Sequence, residues 1–179
     1  MSLLKKILGK LGVIKTDTVK FQNYLDKLNI PFRTHNSQID ALTPSLIKIG
    51  KNFISAPGSK IISHDSSLVS SHGILRFGKV TIGDHVFLGA NSVILGESFI
   101  GDNCIIGAGA VVKGTFEANS VIVGNPAKKI MTVQELLSKT KNGTNFINIP
   151  EELLQKMEKA KLSFEDRGEI EFLVNEKIT

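Results

Sequence analysis

Three of the chain's four histidines, His64, His72 and His85, fall in one stretch, KIISHDSSLVSSHGILRFGKVTIGDHVFLGA, from Lys60 to Ala90. Histidine moves a proton readily near neutral pH, so the chemistry such a cluster offers is general acid–base catalysis or metal ligation. Ligation by histidines alone would ask for a close pair such as His-x4-His, and none occurs, so no metal is expected. A carboxylate can orient an imidazole or stabilise its charged form, and Asp65 directly follows His64. Adjacent residues of an extended strand nevertheless point to opposite faces. Cys104, the single cysteine, sits at a position otherwise held by small side chains and is read as packing, not as a nucleophile. One cysteine makes no internal disulfide, so a reducing, cytoplasmic setting is expected.

Those residues need a frame, and the frame is a repeat. From Ile82, every sixth residue is a branched aliphatic: Ile82, Leu88, Ile94, Ile100, Ile106 and Val112. That spacing is neither the helical period of about 3.6 nor simple alternation. Gly83, Gly89, Gly101 and Gly107 follow four of the six, so a turn recurs with the aliphatic residue. Four residues after each aliphatic come Val86, Ser92, Ser98, Cys104, Ala110 and Phe116, mostly small, as suits a second inward position in a narrow interior. A unit this short cannot bury its own aliphatic side chain, so successive units must stack into a solenoid of parallel strands.

With three hexads to a turn, residues eighteen apart lie above one another at about 4.8 Å. That register stacks Ala90, Ala108 and Pro126 on one corner and Gly89 on Gly107, a groove of small side chains and accessible backbone suited to a long, thin molecule. Phe87, Val93, Phe99, Ile105 and Val111 fall at outward positions as apolar stripes. Such stripes call for a cover, either another subunit or terminal helices, so a symmetric homo-oligomer is expected. An upstream coil shows in IKIGKNFISAPGSKII, with Ile49 opening one hexad. Ile49 and Ile82 are thirty-three residues apart, which is not a multiple of six. A loop excursion around 63–79 must therefore leave the coil.

At 179 residues with 41% hydrophobic and 22% charged residues, the chain is of folded, globular composition. Its charge of +5 is modest and its basic residues are not interleaved with aromatics, which argues against nucleic acid and fits an anionic small ligand better. The expected organisation is an N-terminal helical segment over 1–30, a β-helix domain over 31–131 and a C-terminal helical extension over 132–179. Leu3, Leu4, Ile7, Leu8 and Leu11 form a stripe opposite Lys5, Lys6 and Lys10. It reads as a terminal helix packed on the domain or on a partner subunit, the other reading being peripheral contact with an anionic membrane surface. Thr132 and Glu135 make a capping box opening TVQELLSKTKNG, and PEELLQKMEKAKL reads as a second helix begun at Pro150. The tail from Phe164 suggests no more than a short helix or strand.

The hexads, the closing VIVGNPAKKI and the ISHD before a loop together resemble the left-handed β-helix acyltransferases. The order His-Asp, loop, VTIGDHVFLGANSVIL, IGDNCIIGAGAVV, VGNPAK is most similar to bacterial sugar O-acetyltransferases, the galactoside, maltose and colanic-acid acetyltransferase group, over roughly residues 45 to 131. The resemblance implies a mainly β fold, a left-handed parallel β-helix with flanking helices, against the usual right-handed rule for parallel crossovers. It implies a homotrimer with active sites between subunits and acetyl-CoA as acyl donor, lying along the corner of Gly89, Ala90, Gly107, Ala108 and Pro126. Ala90 and Ala108 would offer backbone groups to the pantetheine arm, and Lys128 of GNPAK would stand near the CoA phosphates. Lys113 lies in VVKGTF where the commoner pattern is VVTKDI, and is assigned to the nucleotide end; Met131 stands where some relatives carry a further basic residue.

His64 falls at the family's catalytic position, directly before the excursion, and would be the general base toward a sugar hydroxyl, with Asp65 beside it. His72 reads as a loop or acceptor-side residue, His85 as a turn residue where relatives often have Asn, and His35 has no assignment. The implied reaction is acetylation of a saccharide hydroxyl, in a precursor of a bacterial surface polysaccharide. N-acetylation of an amino sugar is the alternative, and a non-catalytic structural or binding solenoid the second. The γ-type carbonic anhydrases share the architecture but need the absent histidine pair.

Overall fold

A computed structural model describes residues 33–34, 37–158 and 163–178, which fall into two units, Met1–Ile130 and Met131–Thr179. The N-terminal stripe and His35 lie outside the described residues.

The first unit is mainly β and almost wholly parallel. Its strands are β1 (Arg33–Thr34), β2 (Gln38–Ile39), β3 (Ile47–Ile49), β4 (Ile54–Ser55), β5 (Lys60–Ile61), β6 (His64–Asp65), β7 (Arg76–Phe77), β8 (Val80–Ile82), β9 (Phe87–Leu88), β10 (Val93–Ile100), β11 (Ile105–Ile106), β12 (Val111–Phe116), β13 (Ser120–Val123) and β14 (Lys128–Thr132), the last running two residues past the unit's end at Ile130. They stack in three series. One runs β1, β4, β9, β11, β13, β14; a second runs β2, β5 and the first halves of β10 and β12; a third runs β3, β8 and the second halves of β10 and β12. Because β10 and β12 pass from the second series into the third, the sheet curls around its own interior.

That interior is the predicted ladder. Ile82, Leu88, Ile94, Ile100, Ile106 and Val112 are all buried, with Val86, Ser92, Ser98, Cys104 and Ala110 between them. Cys104 is thus part of the packing, and burial pushes its thiol pKa up, away from thiolate chemistry. Phe87 and Phe99 face outward and are exposed, while Val93, Ile105 and Val111 are half-buried.

From Ile47 to Val123 three registers describe the coil. From Phe87 to Val112 the offset is eighteen: Leu88 pairs with Ile106, Val93 with Val111, Ile94 with Val112. Between the upstream coil and the hexads it is thirty-three throughout, Ile49 with Ile82, Ile54 with Phe87, Ile61 with Ile94, which is one turn plus fifteen extra residues. Those residues leave the coil after Ile61 as β6 and β7, paired antiparallel, with a short helix at Val69–His72 between them.

The third register departs from expectation. After Val112 the offset drops to sixteen: Ser98 pairs with Gly114, Ile100 with Phe116, Ile106 with Ile122. Two residues are missing from β12 relative to β10. Phe116 therefore takes a rung of the aliphatic ladder instead of the small inward position assigned to it, and Gly124, not Pro126, comes into register with Ala108. The turns confirm the count. Asn52, His85, Asn103 and Asn119 all have left-handed backbone, φ between 54° and 59°, at spacings of thirty-three, eighteen and sixteen. Asparagine tolerates that conformation better than most residues, which accounts for its recurrence. His85 occupies one such turn, its ring within 3.4–3.5 Å of the Asn52 amide.

The second unit carries helices at Val133–Lys141, Glu151–Glu158 and Phe164–Ile178, the last longer than the sequence suggested. The first is opened by a reciprocal cap, Thr132 N–H to Glu135 Oε2 at 2.6 Å and Glu135 N–H to Thr132 Oγ1 at 3.1 Å. Ser163 and Asp166 make the equivalent exchange ahead of the last, and Lys156 donates to Asp166 at 2.7 Å. No helix among the described residues is long and apolar enough to cross a membrane.

Candidate active site

Where the excursion leaves the coil, three successive turns bring Ile62–His64, Leu95–Glu97 and Lys113 to one corner. The returning strand closes the other side with Arg76 and Phe77, leaving a cleft of about 420 Å³. The corner is irregular for a physical reason. The two-residue mismatch between β10 and β12 is taken up at Leu95–Glu97, which bulges toward the cleft and leaves Glu97 at φ 65°. Bulges of this kind re-aim side chains. Glu97 meets Lys113 there at 3.0 Å.

His64 lines this cleft, and its partner is a residue the sequence did not flag. Asp40 Oδ2 accepts a 2.5 Å hydrogen bond from His64 Nδ1. The same oxygen accepts from the backbone N–H of Ser63 (2.9 Å) and of His64 (3.0 Å) and from Ser63 Oγ (3.0 Å), while Oδ1 accepts from Leu42 N–H (2.9 Å). The Asp40 side chain is 2% exposed against 27% for His64. Burial alone would raise the Asp40 pKa, but hydrogen bonds from His64, Leu42 and Ser63 outweigh it and hold the carboxyl at about 2. An ionised carboxylate only accepts, so the neutral imidazole carries its proton on Nδ1 and the Nε2 lone pair remains available.

Asp40 reaches His64 through the coil itself. Gln38 pairs with Lys60 and Ile39 with Ile61, so Asp40 enters the turn above Ser63 and His64. The offset there is twenty-two, outside the hexad phase, which is why counting in sixes missed it. An aspartate two residues before a backbone N–H that it can accept from, Leu42, is a turn signal and was the one sequence trace available.

Asp65, expected beside the His64 ring, is engaged elsewhere. It accepts from Ser67 N–H at 2.8 Å and pairs with Arg76 across the β6–β7 ladder. The Ser67 bonds first, then the Arg76 guanidinium, lower its pKa to about 2. Strand alternation separates the two side chains as anticipated.

Gly89, Ala90, Gly107 and Ala108 do come together. Gly89 N–H donates to Ile106 O and Gly109 N–H to Ala90 O, both at 2.8 Å. A Cβ at Gly89 would lie 2.6 Å from Ala108 N, so this corner tolerates no side chain at that rung. Pro126 is out of register, and Lys128 is exposed on β14. The glycine–alanine corner precedes the Val93–Ile94 rungs, whereas the His64 cleft follows them at Leu95. Within one chain the two lie on different corners. Lys113, assigned to the nucleotide end, lies in the His64 cleft. His72 is on the excursion, 2.7 Å from Ser71 Oγ, and does not line the cleft. Among the described residues no group of three His, Cys, Asp or Glu side chains could hold a metal ion.

Residues 79–114 match the family model described as bacterial transferase hexapeptide (six repeats), so the chain contains a hexapeptide-repeat domain. A protein of Dictyostelium discoideum named as an acetyltransferase is 48% identical over 90 residues, covering 49% of this chain and 47% of that one. Protein CapG of Staphylococcus aureus is 44% identical over 95 residues, covering 51% and 55% respectively. The chain thus spans about half the length of the curated relatives it matches. Among solved structures, a maltose O-acetyltransferase from Clostridium difficile is similar at 30% identity with a TM-score of 0.46, over 56% of this chain and 65% of that one.

Proposed function

We propose that this hexapeptide-repeat chain is an acetyl-CoA-dependent O-acetyltransferase acting on a saccharide hydroxyl, with His64 as general base, in the assembly of a bacterial surface polysaccharide. The observation that carries the reading is the Asp40–His64 pair, 2.5 Å apart and set at the wall of a cleft. A purely structural solenoid has no need of an imidazole whose tautomer is fixed by a buried carboxylate. The hexapeptide match and the acetyltransferase names of the relatives support the same reading.

The step follows from the geometry of a base. A free hydroxyl is a weak nucleophile at neutral pH, so His64 Nε2 takes its proton as the oxygen bonds to the thioester carbonyl carbon. The imidazolium formed is stabilised by Asp40, which stays ionised. The tetrahedral intermediate then collapses, the C–S bond breaks, and the proton passes from Nε2 to the departing sulfur, giving an acetyl ester and free CoA thiol. Such a base contributes about 10²–10⁴-fold.

Acetyl-CoA would lie along the Gly89, Ala90, Gly107, Ala108 corner, where the backbone is open and side chains are small, with Lys128 toward its phosphates. Since that corner and His64 are one face apart within a chain, a neighbouring copy must supply the donor edge to each His64. A homotrimer, its outer Phe87 and Phe99 stripes covered by neighbours, satisfies this requirement.

The test is to incubate the purified protein with acetyl-CoA and a saccharide panel and to analyse products by mass spectrometry before and after mild alkali. An alkali-labile acetyl group on a saccharide supports the reading. No acetylated product, or only an alkali-stable amide, overturns it.

A further inference from the structure

The second wall of the cleft holds an aromatic ring that packing does not explain. Phe77 is 67% exposed, yet it sits in β7, directly opposite His64 in the antiparallel ladder. Directly opposed residues of such a pair project to the same face, with Cβ atoms about 4.5–5.5 Å apart. The ring therefore flanks the imidazole, and both line the same cleft. The four fixed charges around them are spent on one another: Asp65 pairs with Arg76 and Glu97 with Lys113. The Asp40 carboxylate behind His64 is only 2% exposed and saturated by its own hydrogen bonds. No exposed, unpaired charge remains in the cleft to attract an ammonium or a carboxylate.

We propose that Phe77 is the platform on which the acceptor stacks, and that the acceptor is an uncharged pyranoside held by its apolar face. A pyranose carries several axial C–H groups on one face and hydroxyls around its rim. The C–H face suits the electron-rich face of an aromatic ring, and the rim then meets Nε2 of His64 on one side. The paired charges suit the remaining hydroxyls, because a salt bridge offers donors and acceptors together without selecting for a charged ligand. A charged sugar would have to give up hydration with no exposed, unpaired counter-charge to receive it. Phe77 is thus a specificity-determining residue, and this inference rests on the acetyltransferase reading above.

The experiment compares wild type, Phe77→Ala and Phe77→Trp by free-thiol release with methyl glucoside, methyl galactoside and methyl mannoside, against glucosamine and glucuronate. For the best neutral glycoside, wild-type kcat/KM should exceed that for either charged sugar at least about tenfold. Phe77→Ala should raise the KM for that glycoside about tenfold, the order of one lost stacking contact, and leave the KM for acetyl-CoA within twofold. Phe77→Trp should restore the glycoside KM. The inference is overturned if Phe77→Ala leaves the glycoside KM unchanged, if it raises both KM values alike, or if no neutral glycoside is turned over. Turnover confined to glucosamine or glucuronate, abolished by His64→Ala, would sink this inference while leaving His64 as the base.

Discussion

Replacing Asp40 by asparagine separates what this buried carboxylate does for chemistry from what it does for folding. Its Oδ2 receives five donors, His64 Nδ1, the backbone N–H groups of Ser63 and His64, Ser63 Oγ and, at 3.4 Å, Thr43 Oγ1, and Oδ1 receives Leu42 N–H. Asparagine keeps the shape and one oxygen. If that oxygen takes the Oδ2 site, the new NH₂ faces Leu42 N–H, and one donor is orphaned at about 1–3 kcal/mol. The hydrogen bond to His64 survives but loses its charge, together with the counter-ion for the imidazolium formed during transfer. A bond to a charged group is worth about 1.5–3 kcal/mol, so kcat should fall by about tenfold to a hundredfold. Since the carboxylate touches neither donor nor acceptor in this account, the KM for acetyl-CoA should move by less than about twofold. Steady-state thiol release reads both quantities, and a thermal melt confirms that the variant is folded at the assay temperature. A folded Asp40→Asn protein with wild-type kcat would refute the positioning role, and a rise in KM at constant kcat would make Asp40 a binding residue instead.

Three further outcomes follow from the same structure. Because hydrogen bonds hold Asp40 at about 2 in the folded chain, below the ordinary carboxylate value of 3.8, its contribution to stability is complete above about pH 4 and drains away toward pH 2; melts across that range should show a steeper loss for wild type than for Asp40→Asn. Gly89→Ala would press a methyl to 2.6 Å from the next turn's backbone and should cost about 1–3 kcal/mol, read as a lowered denaturation midpoint. Cys104→Ala should keep turnover within about twofold of wild type, since the thiol is buried and its pKa is raised; a large loss of activity would reopen a nucleophilic role.

The hexads told most where the coil is regular. Branched aliphatics every six residues from Ile82 to Val112 have one economical arrangement, and the eighteen-residue pairing of Leu88 with Ile106 follows from it. The excursion was legible for the same reason, as a break of phase between Ile49 and Ile82. What escaped the sequence is what breaks the rhythm without announcing itself. Lys113-Gly114 shortens one turn by two residues, yet Phe116 there looks like any other hexad residue, so Pro126 was carried two positions too far. Asp40 was invisible because its turn is twenty-two residues long, and nothing in adjacent residues says which carboxylate will fold back onto a histidine. Proximity in sequence favoured Asp65, but strand alternation turns that side chain toward Arg76 instead.

The rate of thiol release by His64→Ala, beside wild type and with a saturating saccharide, bears most directly on the central claim. The account predicts a kcat lower by about 10²–10⁴-fold with the KM for acetyl-CoA essentially unchanged. A folded variant that turns over at the wild-type rate would contradict it.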